Sequence, residues 1–259
     1  MSKNYLTAET KFYYELLIPA YEIKNADGRR SSELTAEVSW LASLFYELCA
    51  SFEMFEEEKN LFAGLLERGL QESGEDYFER WGGRDSGKTA DEIHAIYLAA
   101  EREKKRERWS AGDKPSELIN ARPFIAARSF IYALDNVDDH LGKITAAKVV
   151  KLRDKFKSVF PHLREVRNSL HHMADRFRGL NSRGKNIVVQ AYDDGFVKIP
   201  DRHMVLSLLN DQRFGCTKGD GTYGFVDITQ MSVEQVQNIV QEVIDSFDWE
   251  GKPSRHLPS

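Results

Sequence analysis

The hydrophobic residues of this 259-residue chain change period once, near Gly184, and that change constrains the fold more than any other feature of the sequence. Before Gly184 apolar residues recur at three and four, the period of an amphipathic helix; after it they alternate, the period of a strand. Trp40, Leu41, Leu44, Phe45 and Leu48 place a helix over residues 34–55, and residues 61–70 continue it to an end near Gly69 and Gly74. Residues 90–109 resume a helix with Ile93, Ile96, Tyr97 and Ala100 on one side. Asp113-Lys114-Pro115 breaks it, and Phe124, Ala127, Ile131, Leu134 and Val137 define the next. A long element over residues 145–178 follows, kinked or restarted at Pro161. Beyond Gly184, strands are predicted over residues 186–192 and 196–199 around Asp193-Asp194-Gly195, over 204–209, and over 213–217 and 223–228 around Gly219-Asp220-Gly221. Ser232-Val233-Glu234-Gln235 has the pattern of a helix start, and the tail from Gly251 reads as loose. The expected fold is mainly α: a helical bundle over residues 1–183, then a small antiparallel sheet with a covering C-terminal helix over 184–259.

Composition excludes several classes. A content of 41% hydrophobic and 30% charged residues fits a soluble globular chain and not a disordered one. Met1-Ser2-Lys3-Asn4-Tyr5 lacks the apolar run of a signal peptide, and no stretch reaches the length of a membrane span. Cys49 and Cys216 are solitary, which argues against a disulfide framework or a thiolate metal site and for a reducing, cytoplasmic setting. No cofactor or metal is expected, since His94, His162, His203 and His256 stand alone.

Chemistry concentrates in Phe160-Pro161-His162-Leu163-Arg164-Glu165-Val166-Arg167-Asn168-Ser169-Leu170-His171-His172. At 100° per residue, Val166, Leu170, Met173 and Phe177 share an apolar stripe, while Arg164, Arg167, Asn168, His171, His172 and Asp175 lie opposite. A fixed cation beside an imidazole suits phosphate chemistry: one holds charge and the other moves a proton. The plain structural alternative is a solvated helix face.

Arg167-Asn168-Ser169-Leu170-His171-His172 resembles the signature of the HEPN superfamily, which is Arg, a polar residue, three further residues and His. The segment from Ala121 to Val137 is similar to the partner helix of such domains, and the resemblance extends over about residues 116–180. It implies a metal-independent ribonuclease in which two subunits bring their Arg and His residues together, or a relative that keeps the fold without cutting. Under that reading Arg167 stabilises the phosphate, His172 is acid or base, and Asn168 orients one of them. Arg164, His171 and Arg176 are the candidate substrate-binding residues, and His171 has no place in the family pattern. The partners implied are RNA, a second copy of the chain and, in a toxin or phage-defence setting, an antitoxin or other protein. One helix offers a single Arg–His pair, so a homodimer through that helix is expected.

Residues 143–185 carry twelve Lys and Arg against Asp154, Glu165 and Asp175, a surplus of nine positive charges in a chain of net charge −5. Such a segment is either the footprint of a polyanion or is neutralised by acids elsewhere in the fold. A competing motif, Gly82-Gly83-Arg84-Asp85-Ser86-Gly87-Lys88-Thr89, satisfies the P-loop formula. The strand that formula needs does not precede it, and Thr89-Ala90-Asp91-Glu92 is itself a capping box. Asp135, Asp138, Asp139 and His140 form an acidic cluster that reads as a solvated helix end rather than a cation site. Non-catalytic RNA binding, a dimeric scaffold, and nucleotide binding at Gly82–Thr89 remain the alternatives to a ribonuclease.

Overall fold

The computed structural model describes residues 15–24, 31–81, 89–112, 114–251 and 254–256. Helix α1 (Ser31–Trp81) follows two short strands, β1 (Leu16–Ile18) and β2 (Glu22–Ile23). It passes through Gly69 and Gly74 without the expected end. A glycine inside a helix costs about 1 kcal/mol relative to alanine, which alone does not stop it, and no proline intervenes. Leu34, Val38, Leu41, Phe45, Leu48 and Phe52 form its inward face, none more than 4% exposed, whereas Trp40 points to solvent.

Helix α2 (Ala90–Ser110) opens on the expected capping box: Glu92 N–H donates to Thr89 Oγ1 at 3.3 Å and Thr89 N–H to Glu92 Oε2 at 2.8 Å. Helix α3 (Ser116–Leu141) buries Ala127, Phe130, Ile131, Leu134 and Val137 completely, and its Phe130 ring meets Phe52 at 6.2 Å.

The single element expected over 145–178 is three: α4 (Ala147–Val159), α5 (Leu163–His171) and α6 (Met173–Phe177). Pro161 explains the first interruption, because it lacks an N–H and pushes Phe160 out of the helical region, to φ −118 and ψ 64. The second falls at His172, whose φ −102 and ψ 30 make it the C-cap of α5 and the N-cap of α6. Beyond that break the predicted stripe fails: Phe177 is 79% exposed and Arg176 only 4%.

Small antiparallel sheets complete a mainly α fold. Strands β3 (Tyr192–Asp193) and β4 (Lys198–Ile199) pair across the expected Asp-Gly turn. Strands β5 (Leu208–Asn210), β6 (Arg213–Thr217) and β7 (Tyr223–Asp227) form a three-stranded sheet, with Thr217 opposite Tyr223 at the second turn. Residues 186–191 contribute no strand beyond the Leu180–Asn186 bridge, because their amides bond to turns: Ile187 N–H to the Gly179 carbonyl and Gln190 N–H to that of Gly221. Helix α7 (Gln230–Asp245) begins earlier than its predicted start, capped by Thr229, whose Oγ1 accepts from Ser232 N–H at 3.1 Å. Its Val233, Val236, Ile239, Val240, Val243 and Ile244 are at most 1% exposed. Strand β8 (Trp249–Glu250) pairs with β2, and among the described residues of the tail from Gly251, β9 (Ser254–His256) is not loose but pairs with β1.

Compactness divides the chain into residues 1–54 with 127–259, and residues 55–126. The change of period at Gly184 marks a change of secondary structure inside the first unit, where α5 packs against β6 and β7. The second unit holds the ion pair of Arg122 with Glu58. No described helix is long and apolar enough to cross a membrane.

Candidate functional site

Helix α5 has two distinct sides. Leu163, Val166, Ser169 and Leu170 are buried, and the Cys216 thiol of β6 donates to the Val166 carbonyl at 3.9 Å. Arg164 and His171 are exposed, and Arg167 and Asn168 half-buried, on the other side. The sheet therefore packs on one side of α5 and leaves Arg164 and His171 exposed on the other.

The guanidinium of Arg167 is held from two directions. Its Nε donates to Asp135 Oδ2 on α3 at 2.6 Å, and its Nη1 to Asn168 Oδ1 at 3.1 Å. Asp139 Oδ2 lies 3.9 Å from Nη2, too far for a hydrogen bond. Two of five N–H donors are thus engaged, and among the described residues no other hydrogen bond reaches this group. Burial pushes the Asp135 carboxyl above its ordinary range; Arg167 pulls the other way without cancelling the shift.

The acidic cluster on α3 is not a solvated helix end. Asp135, Asp138 and His140 are buried, at 5%, 8% and 6% exposure. Asp138 accepts both Nε and Nη2 of Arg153, at 2.8 and 3.1 Å, and His140 Nε2 lies 2.7 Å from the Glu37 carbonyl. Only Asp139 remains exposed.

His172 stays within one turn of Asn168, since its N–H bonds the Asn168 carbonyl at 3.0 Å. Its Nδ1 lies 3.4 Å from Asp175 Oδ2, and its ring stands edge-on to His171 at 5.2 Å between centroids. The Asp175 carboxylate neighbours Nδ1, and no hydrogen bond between the two fixes the ring. Arg176, read as substrate-binding, is instead buried, donating to the Leu180 carbonyl at 2.8 Å and to Ser169 Oγ at 3.4 Å.

Acids elsewhere offset part of the basic segment: Asp135 pairs with Arg167, Asp138 with Arg153, and Glu242 with Lys155 at 2.6 Å. Both cysteines carry unpaired thiols, and burial raises Cys49 to about 12 and Cys216 to about 11, so neither is a thiolate at neutral pH. Of the P-loop formula, Gly82 to Lys88 lie outside the described residues. Trp81 before it ends a helix rather than a strand, and the Thr89 hydroxyl is bonded to Glu92.

Comparison with protein-family models, curated proteins and solved structures found no match for this chain. Sequence reasoning missed Asp135 as the partner of Arg167. The available signal was its place one turn from Ile131 and four residues before Asp139, on the α3 face that otherwise buries apolar side chains.

Proposed function

We propose that this chain is a metal-independent endoribonuclease of the HEPN type that acts on RNA as a homodimer. The observation that carries the reading is the chain of contacts Asp135–Arg167–Asn168, which holds a guanidinium on the polar face of α5, with Asn168 one turn before His172. Arg167 would neutralise charge on the phosphate, and His172 would transfer the proton. The reaction is an internal transesterification. The ribose 2′-oxygen loses its proton and bonds to phosphorus, the 5′-oxygen leaves and is protonated, and a 2′,3′-cyclic phosphate results. The nucleophile comes from the substrate, so an acid, a base and a fixed cation suffice.

Two proton transfers call for two groups. Two-fold pairing of the Arg167–His172 face supplies the second imidazole without further sequence. Light scattering at micromolar protein should report a dimer across a range of salt; a monomer throughout would remove the composite site. A toxin or phage-defence role, with an antitoxin as protein partner, is the biology that accompanies this chemistry.

One observation favours a non-catalytic RNA-binding or scaffolding relative: Arg167 already holds a carboxylate at 2.6 Å, which offsets its charge toward a phosphate. Incubating unstructured RNA with the protein in EDTA separates the two. Products ending in cyclic phosphate support the enzyme; intact RNA with salt-sensitive binding supports the module.

A further inference from the structure

In α6, a short helix beside the candidate site, the usual placement of side chains is inverted. Arg176 is buried at 4% exposure while its neighbour Phe177 is 79% exposed. The inversion is built in. Arg176 anchors α6 through the Leu180 carbonyl, and the helix ends in a Schellman turn: Leu180 N–H bonds the Asp175 carbonyl at 2.9 Å and Gly179 N–H that of Arg176 at 2.8 Å. Gly179, at φ 75, supplies the left-handed residue this turn requires.

The loop that follows is equally well fixed. Asn181 Oδ1 accepts from the N–H groups of Arg183 and Lys185, at 2.9 and 3.0 Å, and Asn181 N–H donates to the Lys185 carbonyl at 2.8 Å. The Leu180–Asn186 bridge and the Ile187-to-Gly179 bond then run residues 186–188 back alongside α6. In that antiparallel return Val188, 78% exposed, follows Ile187, whose N–H is bonded to the carbonyl of Gly179 just after Phe177-Arg178. The Val188 backbone is packed closely on Gly221, where a Cβ would lie 1.9 Å from the Val188 carbonyl oxygen.

A hydrogen-bonded turn and its return thus carry an aromatic ring and an isopropyl group on the same short segment as Arg178, Arg183 and Lys185, all exposed. Residues 176–191 contain no Asp or Glu, and among the described residues none of these three cations forms an ion pair. Cations next to an exposed aromatic ring match a polyanion whose flat groups are unpaired, and a pre-ordered loop avoids the entropy of ordering on binding.

We infer that Phe177, Arg178, Arg183, Lys185 and Val188 form a binding strip for single-stranded RNA, with an unpaired base stacked on Phe177 and phosphates held by the three cations. The inference deepens the ribonuclease reading by naming unpaired RNA as the substrate class and a strip beside His172 as its path.

The test is fluorescence anisotropy of a labelled oligouridylate on the full-length His172→Ala protein, which removes the proposed proton-transfer group. Phe177→Ala should weaken binding by about tenfold or more, and Phe177→Tyr should restore it. Arg183→Ala with Lys185→Ala should lower the salt slope by about 1.4, at roughly 0.7 per phosphate contact on a single strand. Four results overturn the strip: unchanged affinity in Phe177→Ala, equal affinity for a hairpin duplex, stronger capture by phosphatidylserine vesicles than by RNA, or a Phe177→Ala effect confined to self-association. The cation pair supplies an independent answer should Phe177→Ala fail to fold. Cleavage by wild type that survives both Arg167→Ala and His172→Ala would remove the site assignment while leaving the strip. Normal binding by Phe177→Ala removes the strip alone.

Discussion

Arg167 and Asp135 lie 32 residues apart in sequence and 2.6 Å apart in space, joining α5 to α3 at the candidate site. The pair is asymmetric: the Asp135 side chain is 8% exposed and that of Arg167 30%. Asp135 touches no substrate in this account and acts through Arg167, as a positioning residue.

Asp135→Asn should therefore leave the helices intact while loosening the guanidinium. The expected cost is about 1–3 kcal/mol in urea denaturation, below a fully buried pair because Arg167 still reaches water. In RNA cleavage the loss should appear in kcat more than in KM, and Asp135→Glu should recover part of it. An unchanged kcat would show that the ion pair is structural only.

Arg153 and Asp138 make the second inter-helix pair, and this one is bidentate. Arg153→Ala strands a carboxylate that is 8% exposed, so urea denaturation should show a loss of about 1.5–3 kcal/mol, with RNA cleavage unaffected. Gly142→Ala should mimic it, because the new Cβ would sit 2.3 Å from Arg153 Nη1 and displace the guanidinium.

The sequence disclosed the parts of the fold that rest on local chemistry. The Thr89–Glu92 capping box, the Asp194-Gly195 turn and the apolar faces of α1, α3 and α7 are each written within a few residues. What depends on distant partners was not legible. Asp135 and Asp138 look like solvent-facing acids until Arg167 and Arg153 arrive from later helices. Arg176 and Phe177 exchange places because the break at His172 resets the helical phase, and no periodicity carried across that break can anticipate it. The pairing of β1 with β9 joins chain ends that carry no mutual signal.

His162, the N-cap residue of α5, packs edge-on against Phe225 at 5.7 Å. Burial, and then the nearby Lys218 charge, lower its pKa below the usual 6.5, with Glu165 and Asp220 opposing. The folded protein then binds fewer protons than the unfolded chain just below that pH. Its contribution to stability is present above 6.5 and is lost as pH falls through the lowered value. Thermal melts between about pH 7 and 5 should fall with pH, and His162→Gln should flatten that part of the curve. A slope identical in both proteins would place the titration elsewhere.

Whether Arg167 and His172 cut RNA is decided by single-turnover cleavage in EDTA with Arg167→Ala, His172→Ala and a His203→Ala control. A loss of about 10²- to 10⁴-fold is expected in each of the first two, with wild-type rates in the control. Cleavage at the wild-type rate in both Arg167→Ala and His172→Ala would contradict it.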